Sequence, residues 1–227
     1  MRAMRMLTLT TRRLPPVTML IVAIAVGCKQ PEVIEFPSRL QHLEEIRAPL
    51  PEGDGFPEEL AIVDGGDSDL WWSHGRGYVH APIGDVWAAF QQPEVGINYR
   101  EVDEWDVTYD TRPEFDHSYT THIVVRDIVR IEYDLTWVSE QQAADEDGNI
   151  TQVALQWEKT DGSIFIQRLA GSVLLLPADE GTKTEVQLVH HLIAAQRDQD
   201  VLTQTLLDIH ANVVAAVNGE SIPAFTP

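Results

Sequence analysis

Two histidines stand side by side in TEVQLVHHLIAA, at positions 190 and 191. On an extended chain neighbours point to opposite faces, so one of the pair turns inward. His190 shares its parity with Val186, Leu188 and Leu192 and is the inward one. Beside a tyrosine, a buried imidazole could act as general acid or base. A hydrogen-bonded core histidine would occupy the same position without any reaction. The aromatic residues Trp105, Tyr109, Tyr133, Trp137 and Trp157 all fall on the apolar parity of alternating segments. As a set they suit the wall of a cavity for a planar or lipidic molecule; singly, each also suits plain core packing. No His-x-x-x-His pair occurs and there is one cysteine, Cys28, so no metal site and no cofactor are expected. DEDGN at Asp145–Asn149 has its glycine too early for a calcium loop and reads as a hairpin turn. Ser73, Ser118 and Ser163 lack the setting of a catalytic nucleophile, and no phosphate-cradling or dinucleotide glycine motif is present.

The elements that must hold these side chains follow from periodicity. EWDVTYD alternates, with Trp105, Val107 and Tyr109 on one face and Glu104, Asp106, Thr108 and Asp110 on the other. RIEYDLTWVSE sets Ile131, Tyr133, Leu135 and Trp137 against Arg130, Glu132, Asp134 and Thr136. ITQVALQWEK carries Val153, Leu155 and Trp157 on one face; SYTTHIVVR, SIFIQRLAGSVLLLP and TEVQLVHHLIAA complete the strands. DEDGN, TDGS and DEGT separate neighbours, as antiparallel hairpins require. The period then changes. In DQDVLTQTLLDIHANVVAAVNG, Leu202, Leu206, Ile209, Val213 and Val217 follow helical spacing, with Asp198 or Asp200 to cap the start and Gly219 the end. GYVHAPIGDVWAAF is a strand that turns at Pro82 into a short helix bearing Ile83, Val86, Trp87 and Phe90. A single antiparallel sheet with one apolar face needs a cover, and the long helix is the natural one.

Of the 16 basic residues, Arg2, Arg5, Arg12 and Arg13 precede Cys28 and no acid does; taking these four away leaves 12 basic against 36 acidic residues, a net of −24. So acidic a body is repelled by nucleic-acid backbones, and no nucleic-acid partner is expected. Ahead of Cys28 the arginines are followed by an apolar run from Met19 to Val26 and by Gly27. That is the layout of a secretory signal, and the run is too short to span a bilayer. Val26, Gly27 and Cys28 resemble the lipobox of bacterial lipoproteins, although Ala25 stands where leucine is commoner. The resemblance implies a lipidated Cys28 that anchors the protein in the cell envelope. Lys29 in place of an aspartate points to the outer membrane. Pro31, Pro37, Pro49, Pro51 and Pro57 then interrupt every apolar run up to Asp69, apart from a possible short helix in SRLQHLEEIR capped by Ser38. The expected organisation is a signal over 1–27, an acidic proline-rich tether over 28–69, a folded domain over 70–219 and a tail over 220–227.

APIGDVWAAF, with Ala81, Pro82, Val86, Trp87 and Phe90, and the passage from Gly171 to Thr182 resemble the START-like superfamily, which includes polyketide cyclases and lipid-transfer domains. The resemblance spans about residues 70–219 and implies an α+β helix-grip fold. In that fold a curved antiparallel sheet of six to seven strands wraps a long C-terminal helix, with short helices after the first strand, around an apolar cavity. It implies no particular reaction. The expected function is binding of a hydrophobic small molecule or lipid without turnover, with His190 and the five aromatic residues lining the site. A polyketide-cyclase-like enzyme using His190 and a tyrosine is the alternative from another class. An envelope interaction protein whose cavity is filled by its own side chains is the third.

Overall fold

Alternation of apolar and polar residues, broken by turn-forming clusters, gives eight strands, all paired antiparallel. The structure, a computed structural model, describes residues 35–53, 55–67, 69–97, 100–126, 129–195 and 199–222. The chain divides into Met1–Gln30 and Pro31–Pro227, and every described residue lies in the second unit. In chain order the elements are β1 (Leu60–Gly66), β2 (Trp71–Val79), α1 (Ile83–Phe90), α2 (Pro93–Gly96), β3 (Glu104–Tyr109) and β4 (His117–Arg126). There follow β5 (Arg130–Ala144), β6 (Ile150–Gly162), β7 (Ile166–Ala178), β8 (Lys183–Ala194) and α3 (Gln199–Val217). They form one sheet in the order β1-β2-β8-β7-β6-β5-β4-β3. β3 to β8 are a meander, and β8 closes against β2 rather than against a new strand.

The cover is α3. Leu202, Leu206, Ile209 and Val213 are buried, and the helix lies on β2 with α1 and α2 beside it. Two polar bonds fix its seat: His210 Nε2 lies 3.0 Å from the Tyr78 carbonyl, and Asn212 donates to the Val95 carbonyl at 3.2 Å. α1 starts directly after Pro82, whose fixed φ suits the boundary and whose missing N–H removes a ladder donor. It buries Ile83, Val86, Ala89 and Phe90, and Trp87 Nε1 donates to Ser139 Oγ at 3.0 Å. The architecture is α+β, an antiparallel sheet gripping a C-terminal helix.

Two expectations need correction. The sheet has eight strands, not six or seven. The extra one is β1, LAIVDGG, which lies within the stretch expected to be a tether and pairs with β2 through the turn at Asp67–Leu70. Nor does SRLQHLEEIR form a helix. Its backbone donors find partners on the sheet instead: Leu40 N–H to Glu140 Oε1 at 2.6 Å, Leu43 N–H to Ser172 Oγ at 3.0 Å, and Arg47 N–H to His74 Nδ1 at 3.0 Å. With those donors satisfied across the chain, a helix would gain nothing. Residues 36–48 are therefore a strap over the outer face of the sheet. Leu40 is 2% exposed and packs with Val138 and Ala154, while Phe36 meets Phe115 edge-on. The expected signal, Cys28, the Asp198 cap and the end of the tail lie outside the described residues.

Candidate functional site

The pairing register sorts the inward residues into rungs. One rung crosses all eight strands: Tyr109 on β3, Tyr119 on β4, Trp137 on β5, Trp157 on β6, Gly171 on β7, His190 on β8, Ser73 on β2 and Asp64 on β1, each directly opposite the next. Directly opposed side chains stand close enough to touch. They form a continuous row: Tyr119 stacks on Trp137 at 6.0 Å between centroids, Trp137 on Trp157 at 4.5 Å, and Trp157 leans on His190 at 5.8 Å. Gly171 makes the last contact possible, because a Cβ there would lie 1.8 Å from the Trp157 ring.

Of the residues singled out from the sequence, Trp137, Trp157 and His190 thus come together in one row, and all three are buried. Tyr109 sits in the same row but on the edge strand, 54% exposed, so its ring does not line an enclosed interior. Trp105 and Tyr133 belong to a second rung with Ile123 between them, ending at Gly162. Tyr133 is buried and Trp105 half-buried. Tyr119 was not singled out, although its parity with Thr121, Ile123 and Val125 in SYTTHIVVR marked it as inward. Burial pushes the Tyr119 and Tyr133 hydroxyls above their usual range, so both stay protonated donors.

The row is apolar except at its β8–β2 end. There His190 is 5% exposed and neither ring nitrogen has a partner among the described residues; the Ser73 hydroxyl opposite is equally buried and equally unpaired. Trp71 Nε1, two residues along β2 on the same face, and Gln199 Oε1 at the start of α3 are unpaired as well. Burial, helped by neighbouring His191, lowers the His190 pKa to about 4, so the ring is neutral at physiological pH. The gap bounded by Phe90, His117, Tyr119, Trp137, Val138, Ser139 and Leu155 has no room for a water molecule. α2 sits on Trp137 through Gly96, where a Cβ would come within 2.7 Å of the ring.

A second polar cluster lies on the outer face, beneath the strap. Glu44 Oε1 is 2.9 Å from His74 Nε2 and 2.9 Å from His191 Nε2. These donor atoms lie within 4.8 Å of one another, and two imidazoles with a carboxylate are a set that transition metals accept. The protons decide otherwise. Because the Arg47 amide donates to His74 Nδ1, that nitrogen is the bare one, and the ring proton sits on Nε2, where a metal would need a lone pair. His42 completes the set, its ring nitrogens 2.9 Å from Ser172 Oγ and 3.2 Å from Gln187 Oε1.

No family model and no curated protein matches the chain. Among solved structures, a Thermus thermophilus protein superposes with a TM-score of 0.41 at 14% identity over 64% of this chain and 93% of its own. The human StarD13 lipid transfer and protein localization domain gives 0.44 at 11% over 75% and 91%. A Streptomyces aromatase/cyclase, Zhui, gives 0.41 at 10% over 66% and 92%. Likeness at this level says nothing of activity, and the fold rests on the strand order and helix seat described above.

Proposed function

We propose that this is an envelope lipoprotein, anchored through Cys28, whose START-like domain holds a hydrophobic small molecule or lipid between the sheet and α3 without turning it over. The observation that carries the ligand is His190. A buried polar group left unpaired costs about 1–3 kcal/mol, and here the ring of His190 and the hydroxyl of Ser73 face each other unpaired at the end of an aromatic row. A ligand with one hydrogen-bonding group removes that cost while its apolar body gains about 25 cal/mol per Å² buried. Neutral His190, Ser73 and the Trp71 indole supply donors and acceptors but no charge, so the group they suit is uncharged, such as a hydroxyl or carbonyl. The same neutrality argues against catalysis. The carboxylate in the same rung, Asp64 opposite Ser73, is exposed and accepts from Thr203 on α3, and none of Trp71, Ser73, Trp157 and His190 is a cation to stabilise developing negative charge.

One observation favours a second reading. The gap beside Trp137 and Tyr119 has no space for water, so this part of the row is packed by its own side chains, as an interaction protein would have it. Residues 28–227 carrying Cys28→Ser, purified without detergent, separate the two. Ligand binding predicts a co-purified or added apolar molecule in native mass spectra, quenched tryptophan fluorescence, and uptake weakened by Trp157→Ala. Spectra of bare protein, with fluorescence unmoved across a panel of fatty acids, sterols and phospholipids, would leave the filled interior.

A further inference from the structure

The strap is held by groups whose protonation states are fixed by their partners, and those partners are incompatible with acid. Glu44 Oε1 accepts from His74 and from His191, both at 2.9 Å, so each ring must present an N–H at Nε2. The Arg47 amide requires His74 Nδ1 to be a lone pair. His74 is wholly buried and His191 nearly so. Arg47 also lays its guanidinium over the Trp72 ring, 4.3 Å from the centroid, and pairs with Glu44 at 2.6 Å. Thirteen residues of chain thus rest on a cluster with two bare ring nitrogens: His191 Nδ1 faces no partner among the described residues, whereas His74 Nδ1 faces a donor, so a proton there is the one that opposes the strap.

We propose that residues 36–48 form a proton-operated clasp: with His74 neutral the strap lies closed on the outer face, and a proton on His74 Nδ1 sets N–H against the Arg47 N–H and drives the strap off.

The surroundings give the direction. The charged and titratable groups around the cluster are His42, Glu44 and Arg47 on the strap, His74 on β2 and His191 on β8, with Arg168 on β7 and the Arg76–Glu185 pair alongside. Burial lowers the pKa of His74, and Arg47 and His191 lower it further against the pull of Glu44. Burial likewise lowers His42, to about 4, and His191. For Glu44 burial acts upward, but the hydrogen bonds from His191 and His74 outweigh it and hold the carboxyl at about 2. It therefore stays charged while the histidines titrate. A histidine whose pKa is lower in the closed state than in the open one favours closure above 6.5 and loses that contribution as pH falls below it. Closure is therefore most favoured at neutral pH and weakens as pH falls below 6.5.

One consequence rests on the anchor reading of Cys28. With the strap closed, the chain is fastened to the sheet from Phe36; with it open, from beyond Ala48. At about 3.3–3.6 Å per extended residue, the thirteen residues add about 45 Å of reach from the membrane.

The experiment is hydrogen exchange on the full chain in detergent, followed by mass spectrometry at pH 7.0 and 5.0 and corrected for intrinsic rates. The clasp predicts that protection of the 40–47 amides falls at least tenfold at pH 5.0 and stays well below that of the β5–β8 core amides, which exchange only through global unfolding. His74→Gln carries a donor towards Glu44 and an acceptor for the Arg47 amide but cannot be protonated, so it should keep the strap protected at pH 5.0. Should that variant fold poorly, ¹⁵N-histidine spectra of the unaltered chain decide, by showing His74 as the Nε2–H tautomer at pH 7. Equal strap protection at both pH values, or an Nδ1–H tautomer, would overturn the proposal. So would zinc that tightens the strap at pH 7, which would make the cluster a metal centre. None of these outcomes depends on whether Cys28 is lipidated or the interior binds a ligand.

Discussion

Acid should unfold this domain earlier than its surface charge suggests, and the reason lies in two histidines that burial keeps neutral. His42 and His190 are each lowered from 6.5 to about 4, in both cases chiefly by desolvation. A depressed histidine pKa means that the unfolded chain binds the proton more tightly. Its contribution to stability is therefore full above 6.5 and is lost as pH falls towards 4. Between pH 7 and pH 5 the loss comes to about 2 kcal/mol for each histidine, about 4 for the pair, at 1.36 kcal/mol per unit of pKa difference. His74, His191 and His210 are lowered too and act in the same sense. Glu44 does not enter, since its carboxylate stays charged across this interval. Glu158, whose carboxyl burial raises, works weakly the other way near the acid end. Against a domain stability of about 5–15 kcal/mol, a 4 kcal/mol loss is large.

Urea titrations of residues 29–227 at half-unit steps from pH 7.5 to 5.0 read this directly. With a slope of about 2 kcal/mol per molar, the midpoint should fall by about 2 M. His190→Leu sharpens the test. It deletes an imidazole with no partner and keeps the site apolar, so it should raise stability at pH 7 by about 1–3 kcal/mol and remove about half of the pH dependence. A midpoint that does not move between pH 7 and 5 would refute the burial argument. A His190→Leu variant less stable than its parent would show that the ring has a partner in solution.

Gly171→Ala should cost upwards of 2 kcal/mol and blue-shift or broaden the tryptophan emission, because the new Cβ displaces the Trp157 ring from the row; thermal melts together with fluorescence check it, and unchanged stability would mean the ring does not lie over β7. Cys28→Ser in the native host should move the protein out of the membrane fraction, and a variant that still sediments with membranes would remove the anchor.

How far these features were legible depends on how far apart their partners lie in the chain. β5 could be read from RIEYDLTWVSE because its two faces alternate within the segment itself, and α3 because its apolar spacing is local. Parity alone brought Trp137, Trp157 and His190 to the same face. It could not say that they share one rung, since that depends on register, which hairpin geometry sets across more than fifty residues. β1 escaped notice because LAIVDGG is short, weakly alternating and flanked by Pro57 and DGGDSD; it is a strand only because β2 lies beside it. The strap was the least legible. Leu40 N–H reaches Glu140 and Leu43 N–H reaches Ser172, at separations of 100 and 129 residues, so a segment that looks unstructured by composition owes its order entirely to distant side chains.

The two polar clusters meet on β8, where His190 faces the aromatic row and His191 faces the strap. Adjacent residues on a strand share one backbone but not one environment, and here His191 lowers the affinity of His190 for a proton. His191 has Glu44 at 2.9 Å to stabilise a positive charge, whereas His190 has no partner among the described residues. A proton arriving at this strand therefore settles on the outer side. The inner ring stays neutral through the acid range in which the strap opens, so release of the outer face leaves the hydrogen-bonding character of the interior as it was. Opening the clasp and protonating the interior are thus separable events, although their histidines are one residue apart.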